Sequence, residues 1–76
     1  MPTLADLPIG SRACVETIDG SPNLVQRLLE MGLLQGEEVQ VLRYAPLGDP
    51  LEIHMRDFNL SLRRSEAERI RVRRVY

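Results

Sequence analysis

The sequence predicts a small, mainly β domain: an antiparallel barrel of about five short strands with one inserted α-helix. The chain has 76 residues, enough for one domain over residues 1–76 but not for two self-sustaining cores. Short segments of alternating apolar and polar residues recur, and too few residues separate the later segments for parallel crossovers. Because five short strands must curl to hide their edges, an SH3-like barrel is the best fit.

The first elements follow from capping and alternation. Thr3 and Asp6 stand at capping-box spacing and predict a short turn before Pro8. A strand begins at about Gly10 and ends before Asp19-Gly20. Its inward positions are predicted to be Ala13, Val15 and Ile18, with Cys14 and Glu16 on the other face.

One α-helix is predicted over about residues 22–31. Ser21 is a good N-cap, and Pro22 suits the first helical position, where its missing N–H costs nothing. An apolar stripe follows at helical spacing and is more typical of core than of an interface: Leu24, Val25, Leu28, Leu29 and Met31. Gly32 ends the helix because it accepts the left-handed conformation, and Leu33 can make the accompanying hydrophobic contact.

The remaining strands alternate in the same way. Their predicted inward positions are Val39, Val41 and Arg43, then Leu51, Ile53 and Met55, then Phe58, Leu60 and Leu62, and finally Ile70 and Val72. The segment 46–50 (PLGDP) is a rigid loop, because two prolines fix φ and its glycine permits unusual dihedrals. Residues 65–68 form a single turn.

Composition restricts the class of function. The net charge is −1, so no global field attracts nucleic acid or an acidic membrane. Residues 63–76 nevertheless hold six arginines against two acidic residues, a local net charge of +4. The single cysteine, the N-terminal sequence without signal-peptide character and the lack of a membrane-length apolar run lead us to expect a cytoplasmic protein.

Three segments together resemble the ferrous-iron transport protein A (FeoA) family. They are residues 27–33 (RLLEMGL), residues 45–50 (APLGDP), and the pattern of Leu, Arg, Glu-Ala, Ile and Val across residues 60–72, with Gly36, Val39 and Val41 between them. The resemblance covers nearly the whole chain, and the first two segments together are quite specific.

The resemblance implies an SH3-like barrel in the bacterial cytosol. It also implies an accessory role, in which the protein binds, and is expected to modulate, the cytosolic part of the membrane GTPase called ferrous-iron transporter B. The partner would carry the nucleotide site and the iron path. No cofactor is required by this role.

The sequence does not predict an enzyme. Nucleophilic catalysis needs a nucleophile, a base and an orienting group, and no motif places a serine or Cys14 beside the only histidine, His54. No Gly-rich loop opens a helix to hold phosphate. Proline-rich-peptide recognition is also excluded, because it needs an aromatic groove and Phe58 is predicted to belong to the core.

Two surfaces are candidates for partner binding. The first, here called the arginine row, is Arg69, Arg71 and Arg73; the second, the helix rim, is Gln26, Arg27 and Glu30. The arginine row has three readings: a solvated face that protects an edge strand, a face for a protein partner, or a nucleic-acid surface. Nucleic acid is not expected, because the rest of the chain is acidic and lacks aromatic residues interleaved for stacking.

A metal site is a third hypothesis. Glu52 and His54 stand two apart on a strand and leave the same face, with donors suited to zinc or another divalent transition metal. Cys14 is a further donor if its face is exposed. Two or three donors fall short of the four in a closed zinc site, so the sequence predicts that metal would bridge a homodimer. Solvation alone is the alternative explanation for these side chains.

Overall fold

The computed structural model describes residues 2–75, so Met1 and Tyr76 of the predicted domain lie outside the described residues. A 3₁₀ turn at Leu4–Asp6 opens the fold. The strands are β1 (Arg12–Ile18), β2 (Glu38–Tyr44), β3 (Leu51–Met55), β4 (Phe58–Leu62) and β5 (Ile70–Val75). The helices are α1 (Pro22–Glu30) and the one-turn α2 (Arg64–Ala67). Within residues 2–75, no helix is long and apolar enough to cross a membrane.

The five strands form one antiparallel sheet in the order β4-β3-β2-β1-β5, which confirms the predicted mainly β architecture. Two irregularities interrupt its register. One lies in β1 opposite β5, between Val15 and Thr17. The other lies in β2 opposite β3, between Val41 and Arg43. A bulge adds one residue and reverses the alternation, so Arg43 is exposed and Tyr44 turns towards the core. The predicted inward position of Arg43 was therefore wrong.

The end of α1 is closed by two backbone bonds of a Schellman motif. The N–H of Leu33 donates to the carbonyl of Leu28 at 3.2 Å, and the N–H of Gly32 donates to that of Leu29 at 3.0 Å. Gly32 has φ of 98°, the left-handed region that the sequence predicted. Leu28 and Leu33 both lie in the buried core, which also confirms the expected hydrophobic partner. The helix ends one residue earlier than predicted, with Met31 as its C-cap.

The core is built from the inward faces of the five strands and one row of α1, with the 3₁₀ turn and α2 over its ends; β4 contributes Leu62 and α1 contributes Leu28. Two expectations about core membership were wrong, at Leu29 and at Phe58. Of the helical stripe, Leu28 is fully buried and Leu24 and Met31 pack against the core, but Leu29 remains 38% exposed, because α1 lies outside the sheet and turns one row of side chains inward. Phe58 is 39% exposed, because it opens the edge strand β4, which has a neighbour on one side only.

Residues 2–7 close the other edge of the sheet. The carbonyl of Pro2 accepts a hydrogen bond from the N–H of Val72 at 3.0 Å, and Thr3 forms an isolated antiparallel β-bridge with Arg71. The Thr3 N–H donates to Asp6 Oδ2 at 2.9 Å, which confirms the predicted turn. The edge of β5 therefore has backbone partners at two positions that open sheets leave unpaired.

Replacement of Gly32 by alanine should lower the free energy of unfolding by about 1 kcal/mol or more, because a Cβ disfavours a positive φ. A Cβ here would lie 3.7 Å from Met55 and Phe58, an ordinary contact, so backbone strain is the expected cause. Gly32→Asn is the matched control and should cost less, because asparagine tolerates this conformation better. Thermal and urea unfolding measure both, and an unchanged stability of Gly32→Ala would contradict the assigned helix end.

Candidate partner-binding surfaces and metal ligands

The arginine row lies on the exposed face of β5 and just before it, as predicted. Two of its members are balanced by carboxylates of the same chain. Arg71 Nε lies 2.6 Å from Asp19 Oδ2, and Arg73 Nε lies 3.3 Å from Glu16 Oε1. Arg69 has no carboxylate partner within residues 2–75. The three arginines are evenly spaced in the sequence, but their charges are not equally available, because only Arg69 lacks a carboxylate partner in the described part of the chain.

The helix rim is exposed on α1, and its polar groups also have partners in the chain. Gln26 Nε2 donates to Glu30 Oε2 at 3.1 Å across one helical turn. Arg27 Nη2 lies 2.9 Å from Glu66 Oε2 on α2. Arg27 therefore joins the two helices in addition to facing solvent.

Glu66 is the buried charged residue among residues 2–75, and the sequence did not lead us to expect its burial. Only 6% of the surface of Glu66 is exposed to solvent. One oxygen, Oε1, accepts the N–H of Arg63 at 2.9 Å, which caps α2, and Oε2 meets Arg27. A glutamate three residues after the N-cap is the sequence pattern that could have predicted the first contact. Nothing local in the sequence predicts the second, which joins residues 39 positions apart.

A groove with a volume of about 400 Å³ runs between α1 and α2. It brings together Arg27 of the helix rim and Arg69 of the arginine row, which the sequence predicted to belong to two separate surfaces. Its lining residues are Leu24, Arg27, Arg63, Ser65, Glu66, Glu68 and Arg69. Arg63, like Arg69, forms no ion pair with a carboxylate of the described chain.

The candidate metal donors are only partly brought together. Glu52 and His54 leave the same face of β3, as predicted, and both are half-buried. Cys14 is also half-buried but lies on β1, two strands away, at roughly 9–10 Å across the sheet. A shared ion needs each donor at about 2 Å. Among residues 2–75, no three histidine, cysteine or acidic side chains are grouped to hold a metal.

His54 has a partner that bears on its chemistry. Its Nδ1 lies 2.6 Å from Asn59 Oδ1, on the paired position of β4. Because the amide oxygen can only accept, this contact is a hydrogen bond when Nδ1 carries the proton. That tautomer leaves the lone pair of Nε2 available to a metal. Glu52 lies 3.6 Å from Arg43 Nε.

Several apolar side chains that the sequence did not predict to be exposed lie at the surface, among them Ile9. Leu47, in the loop between β2 and β3, is 97% exposed. A second hollow of about 400 Å³ is lined partly by Met31, Leu34, Met55 and Phe58. The loop itself is held by backbone bonds, among them Ala45 N–H to the carbonyl of Pro50 at 2.9 Å.

Two carboxyl groups of the described residues, Asp6 and Glu37, have pKa values below their ordinary range. The backbone N–H of Thr3 is the main cause at Asp6, and the Arg56 guanidinium is the main cause at Glu37. A lowered pKa means that the folded protein prefers the ionised form. The stability that these contacts contribute is therefore present above the ordinary carboxyl pKa and is lost as the pH falls through the lowered value.

The fold and its surfaces define a small SH3-like β-barrel domain. The chain matches the FeoA domain model over residues 3–74, and it belongs to the FeoA family. The predicted family and fold class are both confirmed.

Three relatives illustrate the match. An Fe(2+) transport protein A/Fe(2+) transporter FeoB fusion protein from Porphyromonas gingivalis is 38% identical over 69 residues, which are 91% of this chain but 8% of that protein. The FeoA protein from Chlorobium tepidum is 40% identical with a TM-score of 0.91, over 99% of this chain and 71% of that one. Stenotrophomonas maltophilia FeoA, a prokaryotic SH3 domain protein solved in complex with zinc, is 36% identical with a TM-score of 0.83, over 96% and 91%.

Replacement of Glu66 by alanine should destabilise the domain by about 1–3 kcal/mol, because it leaves the partly buried N–H of Arg63 without its acceptor. Arg27→Ala should cost less than Glu66→Ala, because it leaves the cap of α2 intact and removes only the ion pair, one partner of which is mostly exposed. Chemical unfolding of the two variants gives the comparison. Equal losses of unfolding free energy in the two variants would contradict the view that Glu66 stabilises the domain mainly by capping α2.

Proposed function

We propose that this protein is a cytosolic, non-catalytic accessory factor of bacterial ferrous-iron uptake, which binds the cytosolic part of an FeoB-type membrane GTPase and modulates it. The observation that carries the proposal is the Porphyromonas gingivalis fusion protein, in which the FeoA-type sequence and the transporter share one polypeptide. Two proteins that occur fused in one organism commonly act together when separate. Transport itself would belong to the partner, since the matched region is 8% of the fusion protein.

The proposed docking surface combines the arginine row with the helix rim. Arg69 of the arginine row and Arg27 of the helix rim line the same groove, and the exposed residues Gln26 and Glu30 lie on α1 with Arg27. Such a surface favours a partner with acidic groups, because complementary charge guides encounter and orients the docked proteins.

A protein partner is favoured over nucleic acid. Arg71 and Arg73 already face Asp19 and Glu16, and those carboxylates would repel a phosphate backbone. The net charge of −1 adds no general attraction for nucleic acid. Nucleic-acid binding would appear as retention on a single-stranded oligonucleotide, which we do not expect.

Co-purification with the FeoB-type transporter of the same organism tests this function. The wild-type protein should be recovered with the transporter, and added salt should reduce recovery, since exposed charges are screened over roughly 8–10 Å. Substitution of Arg69, Arg71 and Arg73 by glutamine should abolish recovery while the melting temperature remains close to that of the wild type.

The matched control for this experiment changes the same number of charges elsewhere, at Arg12, Arg43 and Arg56, and should leave recovery intact. Loss of binding in the control alone would move the interface to the part of the sheet that carries Arg12, Arg43 and Arg56. Absence of the wild-type protein from the purified transporter, with and without nucleotide, would contradict the proposed function itself.

A metal-bridged homodimer is a second proposal. Glu52 and His54 share one face of β3, the Asn59 contact orients the imidazole, and a relative is solved in complex with zinc. Because one chain supplies too few donors for a closed site, the second chain would supply the rest. Cys14 would contribute only if it came from that second chain, since it lies too far from His54 within one chain.

Sedimentation velocity with zinc and with chelator tests the dimer. Zinc should raise the mass of the wild-type protein towards that of a dimer, chelator should reverse the change, and His54→Ala should abolish it. Asn59→Ala is the matched control, because it removes the orienting amide but no ligand, and it should weaken dimerisation without eliminating it. A zinc-induced dimer that survives the loss of His54 would contradict this site.

A further inference from the structure

We infer that the groove between α1 and α2 binds an acidic peptide segment, whose carboxylates pair with Arg63 and Arg69 while an apolar side chain packs on Leu24. This inference deepens the proposed function, and it rests on that function for the identity of the partner. Three observations support it: two arginines in the groove have no carboxylate partner within residues 2–75, both oxygens of Glu66 are already engaged, and Leu24 gives the groove an apolar floor.

The first argument concerns the arginines. Seven of the ten are paired with carboxylates of their own chain: Arg12, Arg27, Arg43, Arg56, Arg64, Arg71 and Arg73. Arg63 and Arg69 form no such pair within residues 2–75, and both line this one groove. Positive charge that the fold does not use is thus concentrated at a single concave site.

The second argument concerns the acidic side chains beside them. Both oxygens of Glu66 are engaged, one by the N–H of Arg63 and the other by Arg27. Glu68 lies 4.0 Å from Arg64 Nε. Neither carboxylate reaches the guanidinium groups of Arg63 and Arg69, although both stand nearby. An incoming carboxylate can therefore form charge-assisted, bidentate bonds that the chain itself does not provide.

The third argument concerns the floor of the groove and the support of Arg69. Gly20 has φ of 125°, and a Cβ there would lie 3.1 Å from Leu24 Cδ2 and 3.8 Å from Arg69 Cγ. The absence of a side chain at Gly20 lets both Leu24 and the aliphatic stem of Arg69 pack close to its backbone. The groove consequently offers an apolar surface directly beside its charge, which suits a peptide that alternates acidic and apolar side chains.

A peptide fits this site better than nucleic acid. Glu66 and Glu68 line the groove and would repel a continuous row of phosphates, and none of the lining residues is aromatic, so bases would have no stacking surface. Isolated carboxylates separated by apolar side chains can instead avoid the acidic positions. Phosphate and oligonucleotide therefore enter the experiment as competitors.

Selection from a display library of random short peptides tests the inference with the intact protein. Peptides enriched on the wild type should contain aspartate or glutamate next to leucine-like residues. Their affinity should fall at least about tenfold for the double variant Arg63→Gln, Arg69→Gln, because two charge-assisted pairs are lost. The charge-matched control Arg12→Gln, Arg43→Gln should bind them like the wild type. Both variants change exposed side chains, and their melting curves should remain close to the wild type.

Selected peptides without acidic residues, or acidic peptides that bind the groove variant as tightly as the wild type, would overturn the inference. So would displacement of the peptides by inorganic phosphate at equal concentration, or tighter binding of a single-stranded oligonucleotide. These results do not depend on the transporter. If the wild type co-purifies with the transporter and the groove variant does so equally well, the proposed function stands and the groove is excluded as its docking site.

Discussion

The carboxylate of Glu66 is the interaction on which the arrangement of the two helices depends. A buried charge is costly unless it is paired and hydrogen-bonded, and this one meets both conditions through Arg63 and Arg27. The first contact caps α2, and the second links α1 to it. Arg63 and Arg27, the two residues that Glu66 contacts, both line the groove between the helices.

Most of the fold could be predicted from the sequence because its determinants are local. Gly32 and its neighbours determine the end of α1. The alternation of apolar and polar residues that predicts β3 and β5 is contained in five or six consecutive residues. Antiparallel pairing followed from the short connections. Family resemblance over residues 27–33 and 45–50 added the SH3-like barrel type, which the comparison with solved structures confirmed.

The errors and omissions arise where distant parts of the chain meet. The bulge that turns Arg43 outward depends on how β2 pairs with β3, and Phe58 is exposed because β4 has no second neighbour. The same holds for the candidate sites. Sequence spacing placed Arg71 correctly on an outer face, but Asp19, 52 positions earlier, neutralises it. Alternation cannot reveal such pairings, because it determines a side chain's face and not its neighbour.

The contact of Pro2 with Val72 has a consequence for how this fold can be carried by a longer polypeptide. Since the two segments are hydrogen-bonded side by side, the chain enters the domain beside β5, the last strand of the fold. Insertion of a domain with this geometry adds little distance between the segments of the host chain that precede and follow it. Duplication, transfer to a new gene or fusion to a large membrane protein would therefore impose little strain on either neighbour.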